Sequence, residues 1–249
     1  MRAPGALAAI AALLLTLGAA ALGQGAQAQV TQAQVMAGAA KLYEDQLAQL
    51  RAGHRLDDNV RFGERVAAIA RTLIEQAKRD YPESASWSWE LHTTSDDAEN
   101  AFAMAGGKLL VGSAFVDRLV LNDAELAMLL AHEMAHAVLQ HNLREAEEAL
   151  RLEPHRIERP YAELEHAIDH DYGLMRKLAQ INFTQEEEAD REGMRLAVRA
   201  GWKPAALARF FRKLEQHSHS PNFRSLFHPS PAMRARAANQ LAAALEAER

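Results

Sequence analysis

The chain has 249 residues, with 28 Lys and Arg against 33 Asp and Glu, no cysteine, and a formal charge of −5 with histidine neutral. Mild acidity without a basic run excludes the phosphate-neutralising surface that nucleic-acid binding requires. The lack of cysteine excludes disulfides and a cysteine-linked lipid anchor.

The first segment is read as an export signal. Met1-Arg2 precedes an apolar stretch over about 6–22, and Ala26-Gln27-Ala28 offers a small-x-small site with cleavage expected after Ala28. One arginine ahead of the apolar run argues for a Sec-type rather than a twin-arginine signal. The alternative is an uncleaved anchor, which the richness in alanine disfavours. Beyond residue 28 no window is apolar enough to span a membrane, so the expected product is a periplasmic domain over 29–249. That segment loses only Arg2 and carries a charge of −6.

Residues 35–51 and 59–79 carry helical periodicity with polar faces, and Tyr81-Pro82-Glu83-Ser84 stops the second helix. Trp87, Trp89 and Leu91 alternate with polar residues as a half-buried strand does. Residues 101–104 and 108–111 flank Gly106-Gly107 as two further strands or a hairpin. The expected fold class is therefore α+β, predominantly α, with a small sheet ahead of the helix that follows.

That helix carries the chemistry. Asn122 and Glu125 form a capping-box pattern at the head of an apolar run over 121–139, and inside it stands His132-Glu133-Met134-Ala135-His136. Imidazoles four residues apart leave one face of a helix together, as two corners of a tetrahedral metal site require. Glu133 lies about 100° round, where a carboxylate can take a proton from a metal-activated water. His141 falls about 140° from His136 on the same wheel and is expected to face elsewhere.

Residues 143–152 and 158–178 read as charge-rich helices separated by Glu153-Pro154, an excursion over 143–180. Thr184 and Glu187 repeat the capping-box pattern, so a new helix is expected to start there and to end before Gly201. Within it, Ala189, Asp190, Gly193, Ala197 and Ala200 share a face with Glu186. This stripe of small residues lets two helices approach closely, and it selects Glu186 as third ligand, with Glu187 and Glu188 as a solvated first turn. Asp190, one turn on, is placed to accept the second N–H of a ligating histidine. Pro204 and Pro231 open helices over 204–216 and 231–247. His166 and His170, though four apart, sit in a highly polar segment with no third ligand, and His217 and His219 lie in a serine-rich loop; solvent exposure is expected for all four.

His132-Glu133-x-x-His136 followed by Glu186-x-x-Ala189-Asp190 resembles the gluzincin peptidases of the HtpX and CAAX prenyl protease type, peptidase family M48. Asn100-Ala101-Phe102 through Gly106-Gly107 and His228-Pro229-Ser230 resemble further family elements, so the likeness covers roughly 60–247. The long transmembrane helices of HtpX and the prenyl protease are not found here. The resemblance implies a zincin-like domain binding one Zn2+ through His132, His136 and Glu186, with Glu133 as catalytic base and Asp190 behind a ligand. It implies peptide-bond hydrolysis, with an extended substrate added as a strand along 101–111. Unfolded or misassembled envelope proteins are the expected substrates, by family analogy. His228 is expected to approach the metal, as an oxyanion donor or as an occupant of the open position, or else only to support a Ser230 cap. Arg234 is a weaker candidate for contacting substrate carbonyl or carboxylate groups. A rival reading keeps the metal but makes the protein a zinc-stabilised periplasmic chaperone or assembly factor with latent activity. A purely structural zinc site is disfavoured, since such sites usually use four ligands including cysteine.

Overall fold

Apolar residues at helical spacing and side-chain caps generate the first two helices. The computed structural model describes residues 30–223, 225 and 228–248, so the expected signal segment lies outside the described residues. Helix α1 (Gln32–Ala52) starts in a capping box between Thr31 and Gln34 and buries Val35, Ala39, Tyr43, Leu47 and Leu50. The Tyr43 hydroxyl donates to Leu109 O at 2.6 Å, which pins α1 to the sheet. Helix α2 (Val60–Asp80) is capped by Asn59 and buries Phe62, Val66, Ile69, Leu73 and Ala77. A 3-10 turn over Pro82–Ser86 follows.

Strands β1 (Glu90–Thr94), β2 (Ala101–Met104) and β3 (Lys108–Gly112) form a sheet in the order β1-β3-β2. β3 pairs parallel with β1 and antiparallel with β2. The β2–β3 hairpin turns on Gly106 and Gly107, whose φ values of 82° and 81° suit glycine. Trp87 and Trp89, read as strand, instead precede it: β1 begins at Glu90, the first residue opposite a β3 partner, Lys108. β2 lies at the edge and β3 at the centre, so of the expected 101–111 edge only β2 has an unpaired side among the described strands.

The short helix α3 (Ser113–Arg118) leads to α4 (Asp123–Val138). Asn122 Oδ1 accepts from Ala124 N and Glu125 N, both at 3.1 Å, and Glu125 Oε2 accepts from Asn122 N at 2.9 Å. Leu126, Met128, Leu130 and Met134 of α4 are fully buried, so this helix forms the centre of the main core. Each such side chain contributes about 1.5–3 kcal/mol relative to exposure. Glu125 is buried as well, paired with Lys213 at 2.7 Å.

The excursion comprises α5 (His141–Leu152), a 3-10 turn, α6 (Tyr161–His170) and the start of α7 (Tyr172–Arg199). Its small second core contains Ala146, Ala149, Leu164, Ile168, Leu174 and Leu178. No new helix starts at Thr184. Asp171 caps α7 through Gly173 N and Leu174 N, while the Thr184 hydroxyl donates back to Gln180 O. Leu174 and Leu178 are buried at helical spacing, which carries one helix through the capping-box pattern. Helices α8 (Pro204–His217) and α9 (Pro231–Ala247) close the core as expected. No described helix is long and apolar enough to cross a membrane.

The decisive contact is between α4 and α7. A Cβ at Gly193 would stand 2.8 Å from Ala131 O and 2.9 Å from His132 Cα, so the two backbones touch. Gly193→Ala should lower stability by about 1–3 kcal/mol through overpacking, against the gain of about 1 kcal/mol that helix propensity alone predicts. Urea unfolding distinguishes the two by sign.

A second test concerns the excursion, where Glu145, Glu165 and Asp169 lie close enough to repel. Burial, reinforced by Asp169, pushes both Glu145 and Glu165 up to about 7. Folded-state values above the ordinary carboxylate range mean that the folded chain holds these protons more tightly. Stability from this source is thus present in acid and lost as pH rises through about 5 to 8. The double variant Glu145→Gln, Glu165→Gln should flatten that decline in urea midpoints measured across the same window.

Candidate metal centre

α4 presents His132 and His136 with their Nε2 atoms 3.3 Å apart. α7 brings Glu186 to them, Oε1 at 3.2 Å from His136 Nε2 and Oε2 at 3.6 Å from His132 Nε2. Tetrahedral bonds of about 2.0–2.2 Å place ligand atoms roughly 3.3–3.6 Å from each other, so the spacing fits one shared cation. Among the described residues, only these three form a group of His, Asp and Glu side chains whose ligand atoms converge in this way. Glu186 Oε2 is buried and accepts no hydrogen bond, although Arg234 Nη1 stands 3.1 Å away. A buried carboxylate oxygen without a hydrogen bond is costly, and a bound cation removes that cost.

The surroundings hold this donor set in place. Asp190 Oδ1 stands 2.9 Å from His132 Nδ1. Arg234 of α9 grips Asp190 with two bonds, Nε to Oδ2 at 2.8 Å and Nη2 to Oδ1 at 2.6 Å. Burial opposes the charge on Glu186, yet His132, His136 and Arg234 outweigh it and hold the carboxyl below the ordinary range. Burial likewise opposes ionisation of Asp190, and Arg234 and His132 overcome it. His132 itself is raised, because Glu186 and Asp190 together exceed the penalty of burial.

Arg234 has a role that its sequence position does not announce. Its side chain is 9% exposed, with Nε and Nη2 committed to Asp190 and Nη1 beside Glu186, so it braces the centre. His141 corrects an expectation: its Nδ1 is 2.9 Å from His136 Nδ1 and its Nε2 is 3.2 Å from Glu188 Oε2. The wheel angle fails because α4 ends at Val138 and Gln140 adopts left-handed φ 55°, which folds His141 back onto His136. Glu188 is consequently half-buried and bound by Arg144 Nη1 at 2.5 Å, not solvated. Glu187 is exposed, as expected.

Glu133 is half-buried on α4, and burial raises its carboxyl against the opposing charges of His132 and His136. The loop before α9 sets His228 Nε2 3.8 Å from Glu186 Oε2, with the side chain 55% exposed. The Ser230 cap is made by its own Oγ, which accepts from Met233 N at 3.4 Å. His166, His170, His217 and His219 are all exposed.

Comparison with known proteins agrees with this geometry. The family model "Peptidase family M48" matches residues 63–242. The "Beta-barrel assembly-enhancing protease" of Yersinia pestis is 34% identical over 160 residues, 59% of this chain and 33% of that protein. Its Escherichia coli (strain K12) counterpart is 32% identical over 154 residues, 56% of this chain and 31% of that protein. "Metalloendopeptidase OMA1, mitochondrial" of Bos taurus is 28% identical over 203 residues, 68% of this chain and 35% of that protein. The chain thus spans about a third of the length of these relatives. The matched span holds α4 with its two histidines, α7 with Glu186 and Asp190, and the Arg234 brace, and by that match the chain belongs to peptidase family M48.

Proposed function

We propose that residues 29–249 form a single zinc-dependent endopeptidase domain that hydrolyses polypeptides in the periplasm. The observation that carries this reading is the convergence of His132 Nε2, His136 Nε2 and the Glu186 carboxylate to 3.2–3.6 Å of one another, with Glu186 Oε2 accepting no hydrogen bond. Two imidazoles and one carboxylate are a donor set suited to zinc, and three protein ligands leave one position for water or substrate. Zinc bound there would act as a Lewis acid, lowering the pKa of water and polarising the peptide carbonyl.

The chain's own residues supply the remaining chemistry. Glu133 takes the proton from the attacking water on a carboxylate oxygen and delivers it to the departing amine nitrogen. Its raised carboxyl makes it a stronger base than an exposed glutamate. Asp190, held by Arg234, accepts the Nδ1 proton of His132 and so leaves Nε2 free to bind metal. An extended substrate is held along the unpaired side of β2, which packs on α4. Recognition through backbone hydrogen bonds suits unfolded or misassembled chains, and the bacterial relatives are named for enhancing β-barrel assembly. Export rests on the Ala6–Leu22 apolar stretch and the Ala26-Gln27-Ala28 site.

Glu133→Gln should retain one zinc per chain while casein cleavage falls at least about 100-fold. Full cleavage by that variant would remove Glu133 as the base. A zinc-loaded wild type that cleaves no casein would favour the rival chaperone or assembly factor.

The position of His228 supports a second, related reading, in which a resting form is capped at the open position. His228→Ala raises kcat/KM on an unfolded substrate if the ring caps the site, and lowers it if the ring stabilises the oxyanion. Unchanged turnover removes both roles.

A further inference from the structure

His136 has two ring nitrogens with different neighbours. Nε2 faces His132 and Glu186, whereas Nδ1 faces His141 Nδ1 at 2.9 Å. A neutral imidazole carries one N–H and one lone pair, so an Nε2 that binds metal requires the proton on Nδ1. That proton needs an acceptor. His141, 2% exposed at the start of α5, meets the need only if its own proton lies on Nε2.

The carboxylate beyond it enforces that choice. His141 Nε2 lies 3.2 Å from Glu188 Oε2, and Arg144 Nη1 lies 2.5 Å from the same oxygen. An ionised carboxylate only accepts, so the opposite tautomer would set the bare Nε2 of His141 against a carboxylate oxygen. One assignment satisfies every contact: His136 Nδ1–H donates to His141 Nδ1, His141 Nε2–H donates to Glu188, and Arg144 donates to Glu188. Gln185 Nε2 also donates to His141 O at 3.2 Å, fixing the start of α5 on α7.

Resting on the reading of His132, His136 and Glu186 as the zinc site, we propose that His141 is a positioning residue for His136, relaying the Glu188–Arg144 pair to its ring. Each ligating imidazole is then oriented by a carboxylate clamped by arginine. For His132 the carboxylate is in direct contact; for His136 a second imidazole stands between. Through that imidazole the first turn of the excursion is fastened to the metal centre.

The test compares wild type with His141→Phe, which fills the space without an acceptor, and His141→Asn, whose Oδ1 takes the place of Nδ1. Zinc affinity is measured by chelator competition, the Tm of the stripped protein by calorimetry, and ligand geometry by the absorption of the Co2+-loaded protein. His141→Phe should bind zinc about 10–100-fold more weakly and alter the Co2+ spectrum, with a stripped Tm near that of wild type. His141→Asn should recover most of the affinity. Zinc binding by His141→Phe at wild-type strength overturns the relay, as does an Asn variant that folds but binds no better than Phe. Should His141→Phe not fold, Glu188→Leu, at a half-buried position, replaces it. A loss of zinc affinity on the order of tenfold is expected there, and none overturns the relay. Wild type that binds no zinc defeats the metal site itself, an outcome distinct from failure of the relay alone.

Discussion

The backbone contact between α4 and α7 is the constraint on which this structure depends. Two histidines on one helix cannot close a three-ligand site, and the acid that would complete it is fifty residues away in sequence. Glu186 reaches the imidazoles only because Gly193 lets α7 lie against Ala131 and His132 without an intervening side chain. Ala189 and Ala197, both fully buried, continue the same seam. Close helix packing here is therefore a condition of the chemistry, because bonding distances to a metal tolerate errors of only tenths of an ångström.

The crossing also brings unlike charges into a space that excludes water. Glu186 and Asp190 project from α7 into the core, and Arg234 of α9 is the cation that makes their burial tolerable. A buried pair of this kind adds little net stability, since desolvation consumes most of the attraction. Its value is directional. The planar guanidinium fixes both Asp190 oxygens, and so fixes which nitrogen of His132 carries hydrogen.

Much of the fold and of the site could be read from the chain, for a physical reason. The Asn122–Glu125 cap, the apolar run behind it and the four-residue histidine spacing are all local, and the structure reproduces them. Glu186 was selected from three adjacent glutamates by the small residues sharing its face, a periodic signal that survives without knowledge of the partner helix. The start of α7 was misread because Thr184-x-x-Glu187 has the composition of a cap, while burial of Leu174 and Leu178 overrides it. The helical wheel turns His141 away from His136 because it takes no account of one left-handed residue, Gln140, between them. The Arg234 pairing is not legible in the sequence: Asp190 lies 44 residues upstream, and no short-range pattern reports such a contact.

The continuity of α7 has a mechanical consequence. One end of this helix is embedded in the small core of the excursion at Leu174 and Leu178, and its later turns are seated in the main core. With Gly193 as fulcrum, Leu174 stands about 28 Å and Glu186 about 10 Å along the axis. A tilt of about 5° would carry Leu174 by about 2.5 Å and Glu186 by about 0.9 Å, more than a metal–oxygen bond can absorb. The excursion is thus the long arm of a lever whose short arm holds Glu186, and a force applied at the surface of that segment would be felt in how that carboxylate meets the two imidazoles.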